Sequence, residues 1–400
     1  MNTVAVVGSS VAGWRAAQEL REQGFAGRLV IIGQERHRPY DRPPLSKEFL
    51  AGRVAPEDLF LASEQEEADL QADWLLGETA VRLDPRRGAV GLTGGREVRA
   101  DGVVLATGAR DVALPGAAGA PGAHSLRTLD DAAALRAEVG ADARVVVVGG
   151  GVLGTEIAAT CRLLGARVTL VDTQHVPLSR TLGVELAGLC LAMHEDFGVR
   201  VRCGTPATRV LSGDRVTGVE LADGRVLPAD AVVVAAGSTP ATDWLRGSGL
   251  KLRDGVLTDS GCRTGLPNVV AVGDIARYRP VHGAQPPRGH TVRSDHWSTA
   301  MNQPPVAVRN LLTGHRAHDY PGMPHFWSRQ FGCTLQFAGY AGPKDRVRIV
   351  DGSTRARRFV AYYERSGRQV AVFAMNSPKQ FAAHRRRLVS ALSTEPAATG

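Results

Sequence analysis

The chain has 400 residues, of which 44% are hydrophobic and 22% charged, and a formal net charge of +8. That length fits two or three domains, the composition is that of a folded globular protein, and no apolar run approaches the roughly 20 residues that span a bilayer. The positive charge is carried by arginine spread along the whole chain, with four lysines in all (Lys47, Lys251, Lys344, Lys379) and no nucleic-acid-binding motif, so a nucleic-acid partner is not expected.

From the N-terminus the chain enters an apolar strand at residues 3–7 without a basic or long apolar leader, so no secretory signal is expected. The turn Gly8-Ser9-Ser10-Val11-Ala12-Gly13 follows, then a helical pattern over 14–23 and a second apolar strand over 28–33. This is a GxGxxG turn with serine in the second glycine's place. Glu35, 22 residues beyond Gly13, is the candidate ribose carboxylate, with Gln34 beside it. A hairpin is expected over 88–99, and a strand over 103–106 that ends in the Thr107-Gly108 turn.

The same grammar returns at residues 144–148. Here Gly149, Gly151 and Gly154 complete the pattern, a helix is expected over 155–164, and a second strand ends at Asp172. The first glycine permits the tight turn, the second lets a pyrophosphate approach the backbone, and the third allows helix and strand to pack closely. The helix N-terminus then offers free N–H groups to the phosphates. Asp172, 18 residues past Gly154, can accept both ribose hydroxyls and repels a 2′-phosphate, so NADH is expected over NADPH.

Further strands are expected over 231–234 and over 268–272, the latter running into a Gly273-Asp274 turn. After about residue 320 the pattern changes to alternating strands (334–340, 347–350, 359–364), which predicts a separate α+β unit, with a frayed tail over 393–400. The five cysteines (Cys161, Cys190, Cys203, Cys262, Cys333) never pair as CxxC. No disulfide framework or metal site is expected, and a reducing cytoplasm is the expected location. Apolar strands alternating with helices define an α/β chain with two Rossmann-like units and a C-terminal α+β unit.

Two nucleotide-binding units imply one tightly held and one exchanging cofactor, for which a flavin and a nicotinamide are the natural pair. Lys47 stands out among arginines as a compact ammonium, suited to stabilising developing negative charge on a reduced flavin. A solvated loop lysine is the alternative reading.

At Arg38-Pro39-Tyr40-Asp41-Arg42-Pro43-Pro44-Leu45-Ser46-Lys47 the sequence resembles the flavoprotein ferredoxin reductases, NADH-dependent enzymes that feed Rieske oxygenases and bacterial cytochromes P450. The likeness continues through residues 105–108, 126–129, 149–156, 272–274, His296-Trp297 and Phe326-Trp327-Ser328, in the family's order. It implies a discontinuous FAD-binding domain (1–112 and 239–319), an NAD-binding domain (113–238) and a C-terminal interface domain (320–400). Carried over by residue, it implies FAD contacts from Gly8, Ala12, Gly13, Glu35, Arg42, Lys47, Val81, Thr107, Gly108, Arg127, Gly273 and Asp274, with Trp297 and Trp327 bordering the flavin. Gly149, Gly151, Gly154 and Asp172 would hold NAD. The family's flavin-side Lys–Glu pair maps onto Lys47 and Glu156, the catalytic candidates. An acidic [2Fe–2S] ferredoxin is the implied partner, and the basic residues Arg355, Arg357, Arg358, Arg385, Arg386 and Arg387 would attract it.

Four places depart from the family pattern: Asp111-Val112 where Pro-Arg is usual, Asp295 for glutamate, Pro304-Pro305 within an expected helix, and Arg329 for aspartate. Proline is tolerated at a helix start, so that helix should begin near Gln303 or bend there. These departures keep open a small-molecule acceptor, such as a quinone, oxygen or a biosynthetic intermediate. A disulfide reductase or NADH peroxidase would need a cysteine between Arg42 and Lys47, and there is none. An NADH-sensing interaction protein of the apoptosis-inducing-factor type is a further, non-enzymatic reading.

Overall fold

The computed structural model describes residues 1–281 and 291–393. Strand β1 (Thr3–Val7), helix α1 (Val11–Glu22) and strand β2 (Arg28–Gly33) form the first βαβ unit. Val4 to Val7 and Leu29 to Ile32 are all buried, as a parallel sheet covered on both faces requires. β1 lies at the centre of a five-stranded parallel sheet, flanked by β2 and Gly102–Leu105, with Ala72–Leu76 and Val269–Ala271 at the edges.

The second unit repeats the design: β3 (Arg144–Val148), α2 (Val152–Leu163) and β4 (Arg167–Asp172). β3 is again central, between β4 and Ala231–Val234 in a second five-stranded parallel sheet. Both glycine turns therefore sit at the carboxyl end of a central strand, where ligands of such sheets bind. Both helices begin before the last glycine of the turn, three residues earlier than expected, because that glycine packs inside the first helical turn.

The C-terminal part is an antiparallel five-stranded sheet whose edge is β5 (His325–Gln330). Helix Pro378–Ser393 covers one face, setting Phe381 and Leu388 on Val360, Val372 and Ala374. The other face places Phe326, Phe337 and Phe359 against Leu182, Leu186 and Cys190 of α3 (Ser179–Asp196). Similarly Tyr40, Leu45, Phe49 and Leu50 enter the core of the second βαβ unit beside Val145 and Ile157. The units expected to be separate domains thus share hydrophobic cores.

The helix with two prolines resolves into two pieces, Trp297–Asn302 and Pro304–Thr313. Both prolines fall in the first turn of the second piece, and buried Gln303 at the junction accepts a hydrogen bond from the Gly273 N–H at 2.8 Å. Most of the expected frayed tail, residues 394–400, lies outside the described residues. No helix among the described residues is long and apolar enough to cross a membrane.

Candidate functional site

A single cavity of about 1600 Å³ runs between the two glycine turns and is closed on one side by β5. It is larger than the ~300–1,000 Å³ of an ordinary small-ligand pocket. The two turns are built alike. Gly8 and Gly149 have φ of +116° and +113°, and a Cβ on either would lie 2.1 or 2.2 Å from the carbonyl oxygen of Ala106 or Ala235. A Cβ on Gly13 or Gly154 would stand 1.8 Å from the carbonyl oxygen of Gly8 or Gly149, so these two hold helix against strand behind the wall. A Cβ on Gly151 would meet nothing within 4 Å, so this backbone is open to a close-lying ligand.

In the first turn Ser10 fills the second glycine's place, and its Oγ accepts from Arg42 Nε at 3.1 Å. Arg42 also donates to Glu35 at 2.7 Å and to the Arg127 carbonyl, while Tyr40 O–H donates to the other Glu35 oxygen. Glu35 is thus fixed just past β2, on the cavity wall. In the second turn Asp172 accepts from the backbone N–H of Gly150 and, at 2.6 Å, of Gln174. Its carboxylate is held at the wall of the cavity beside the second glycine turn.

Along the roof Arg127 donates to Asp274 at 2.8 Å. Burial alone would lower the Arg127 guanidinium, but the facing Asp274 carboxylate, with Asp111 and Asp295, raises the group above its ordinary value. Thr107, Gly108, Gly273 and Ala12 complete this side of the wall. Trp297 and Trp327 meet edge to face with centroids 5.4 Å apart, both on the wall. Trp297 Nε1 donates to Asp41 at 2.7 Å; burial raises the Asp41 carboxyl, against that bond and the nearby Lys47. His296 is held below its ordinary value by burial, against the pull of Asp295 and Asp274.

Lys47 and Glu156 both line the cavity and meet there. Nζ lies 2.7 Å from Oε2, with the side chains only 9% and 6% exposed. Ser46 Oγ donates to the same oxygen at 2.5 Å, and Ser328 Oγ from β5 donates to Oε1 at 2.8 Å. The lysine is therefore not a solvated loop residue. A buried pair of this kind is costly to break, because the remaining charge is left without a partner.

One expected site residue is misplaced. Val81 does not line the cavity; it is 48% exposed, because a bulge between Ala80 and Arg82 turns its side chain to solvent. Glu78, Thr79 and Ala80 form that wall instead. The sequence assigns no role to Tyr40, Asp41, Ser46 and Ser328, which stand inside the motifs that carry the resemblance, or to Asp111, one of the departures; Gln330 is brought here only by the fold. Asp111 lines the cavity with its carboxyl raised by burial, and Arg329 is 3.0 Å from Glu48 and does not line it. None of the five cysteines is on the wall, and burial pushes Cys161 and Cys190 up to about 12.

Comparison with known proteins agrees with this geometry. Residues 2–303 match the pyridine nucleotide-disulphide oxidoreductase family and residues 325–400 match the reductase C-terminal family. The chain belongs to the first of these, among the ferredoxin reductases that its sequence resembles. It is 33% identical to putidaredoxin reductase CamA of Pseudomonas putida over 407 residues, covering 99% of this chain and 93% of that one. A ferredoxin–NAD(P)(+) reductase of Sphingomonas sp is 34% identical over 398 residues, covering 99% and 95%. Among solved structures, the covalent putidaredoxin reductase–putidaredoxin complex matches with a TM-score of 0.90 and 32% identity, over 97% of this chain and 93% of that one. The ferredoxin reductase of the CYP199A2 system from Rhodopseudomonas palustris also reaches 0.90, at 33% identity, covering 96% and 94%.

The family uses FAD and NAD(H). The residues present fit both: two glycine cradles, each with a carboxylate just past its second strand, open on one cavity large enough for both molecules.

Proposed function

We propose that this reductase takes hydride from NADH onto FAD and passes electrons singly to an acidic [2Fe–2S] ferredoxin serving an oxygenase or a cytochrome P450, in the cytoplasm. A bound flavin supplies the step that converts a hydride into two single electrons. The supporting observation is the buried Lys47–Glu156 pair set between the two cradles, where a fixed ammonium favours negative charge that develops on reduction.

In this reading the first glycine turn, Glu35 and Arg42 bind the FAD nucleotide, Arg127 and Asp274 hold its ribityl side, and Trp297 and Trp327 exclude water beside the ring. The second turn and Asp172 bind NADH. No side chain acts as a general acid or base; the residues position and stabilise. The relatives named above as ferredoxin reductases support the choice of acceptor, as does the arginine-rich C-terminal unit.

The reading is tested by reconstituting the protein with FAD and adding NADH without oxygen. A flavin spectrum that bleaches rapidly is expected with NADH and slowly with NADPH. A protein that retains no flavin overturns the proposal.

A further inference from the structure

Strand β5 carries serine and glutamine at positions that face the interior, Ser328 and Gln330, with 0% and 1% of their surface exposed. Buried polar side chains are costly unless each is paired. Here every pairing runs in one direction. His194 of α3, 1% exposed, is 2.8 Å from Gln330 Oε1 through Nε2. Gln330 Nε2 donates to Ser328 Oγ at 2.9 Å and to Thr155 Oγ1 at 2.9 Å. Ser328 Oγ, accepting from Gln330, then donates to Glu156 Oε1 at 2.8 Å.

The donor–acceptor inventory favours one arrangement. With both amide protons of Gln330 directed at hydroxyls, its oxygen must accept, so the His194 proton is on Nε2. That agrees with a His194 Nδ1 that is buried without a partner, and with burial holding this ring below its ordinary value. The hydroxyl proton of Ser328 has one direction left to point, at Glu156. The carboxylate is thereby clamped from two sides: Ser46 and Lys47 on Oε2, Ser328 on Oε1.

We propose that Ser328 and Gln330 are positioning residues through which the C-terminal sheet orients Glu156, and hence the Lys47 ammonium, at the reacting face of the cavity. Phe331, next in the chain, fixes the far end of the relay: its ring meets His194 edge on at 5.1 Å and stacks on Phe197 at 4.2 Å. The relay joins the catalytic pair to the C-terminal unit, so that unit contributes to hydride acceptance and not only to partner docking. This inference rests on the flavin-side role of the Lys47–Glu156 pair proposed above.

The test is a double-mutant cycle on the FAD-loaded protein, read by the rate of flavin bleaching after anaerobic mixing with NADH. Ser328→Ala, a small change in a buried site, is expected to slow bleaching by about tenfold, the equivalent of one well-placed hydrogen bond. In a Glu156→Gln background the same change is expected to add less than about twofold, because its route to the lysine is already broken. Gln330→Met, similar in shape but unable to hold the Ser328 hydroxyl, is expected to show the same pattern at lower amplitude. A lowered melting temperature with unchanged bleaching in both variants would make the relay a packing feature and overturn the proposal, as would equal slowing in both backgrounds. If Glu156→Gln itself bleaches at the parental rate, the role assigned to the pair fails and this inference falls with it.

Discussion

Asp172 is a carboxylate whose two oxygens are fixed by the backbone of Gly150 and Gln174 at the end of β4. A fixed negative charge there accepts ribose hydroxyls and repels a 2′-phosphate. Asp172→Ser is therefore expected to lower kcat/KM for NADH about tenfold while raising that for NADPH, measured with any artificial electron acceptor. His325, at the start of β5, behaves differently. Burial, helped by Arg385 and His296, pushes it down to about 4. Above pH 6.5 neither the folded nor the unfolded chain protonates it; as pH falls from 6.5 toward 4 only the unfolded chain does, so stability falls. His325→Asn should flatten the decline of melting temperature between pH 7 and 5, and an unchanged slope would contradict the assignment. Asp172 and Lys47 were legible in the sequence, one by spacing and the other by its rarity. Gln330 and the role of Ser328 within its motif were not, because a buried hydrogen-bond chain has no local signature: its members lie on α2, α3 and β5 and meet only in the folded chain.

The two βαβ units are the elements whose glycine spacing predicts chemistry, and two substitutions are expected to separate their roles. A methyl group on Gly13 or Gly154 would force helix and strand apart, at a cost of ~1–3 kcal/mol for overpacking. Gly154→Ala should keep its flavin spectrum but lose rapid bleaching by NADH, while Gly13→Ala should lose flavin; absorbance of the purified proteins distinguishes them. Both units were readable because each is a short, local strand–turn–helix pattern. The helix starts were read three residues late, since the last glycine reads as the end of a turn yet packs within the first helical turn. Val81 was carried over from the family resemblance, which does not reveal the bulge beside Ala80 that turns the side chain outward.

At the scale of the molecule, three units that the sequence presents as separate are joined by shared cores. The inner face of the C-terminal sheet closes over α3, and the segment containing Lys47 inserts into the second βαβ unit. Neither junction was legible, because each apolar face looks complete by itself and its partner lies far away in sequence. The arrangement puts Lys47 and Ser328, from the first and third units, on the Glu156 carboxylate of the second, so under the proposed function electron entry would depend on all three units. It also sets Trp327 of β5 on the cavity wall. The most direct test of this account is to reduce the FAD-loaded protein with one equivalent of NADH without oxygen, then mix it with an oxidised [2Fe–2S] ferredoxin or with a quinone. Reoxidation of the flavin much faster by the ferredoxin, slowing as salt rises, is the predicted result. Reoxidation faster by the quinone, with no dependence on salt, would contradict it.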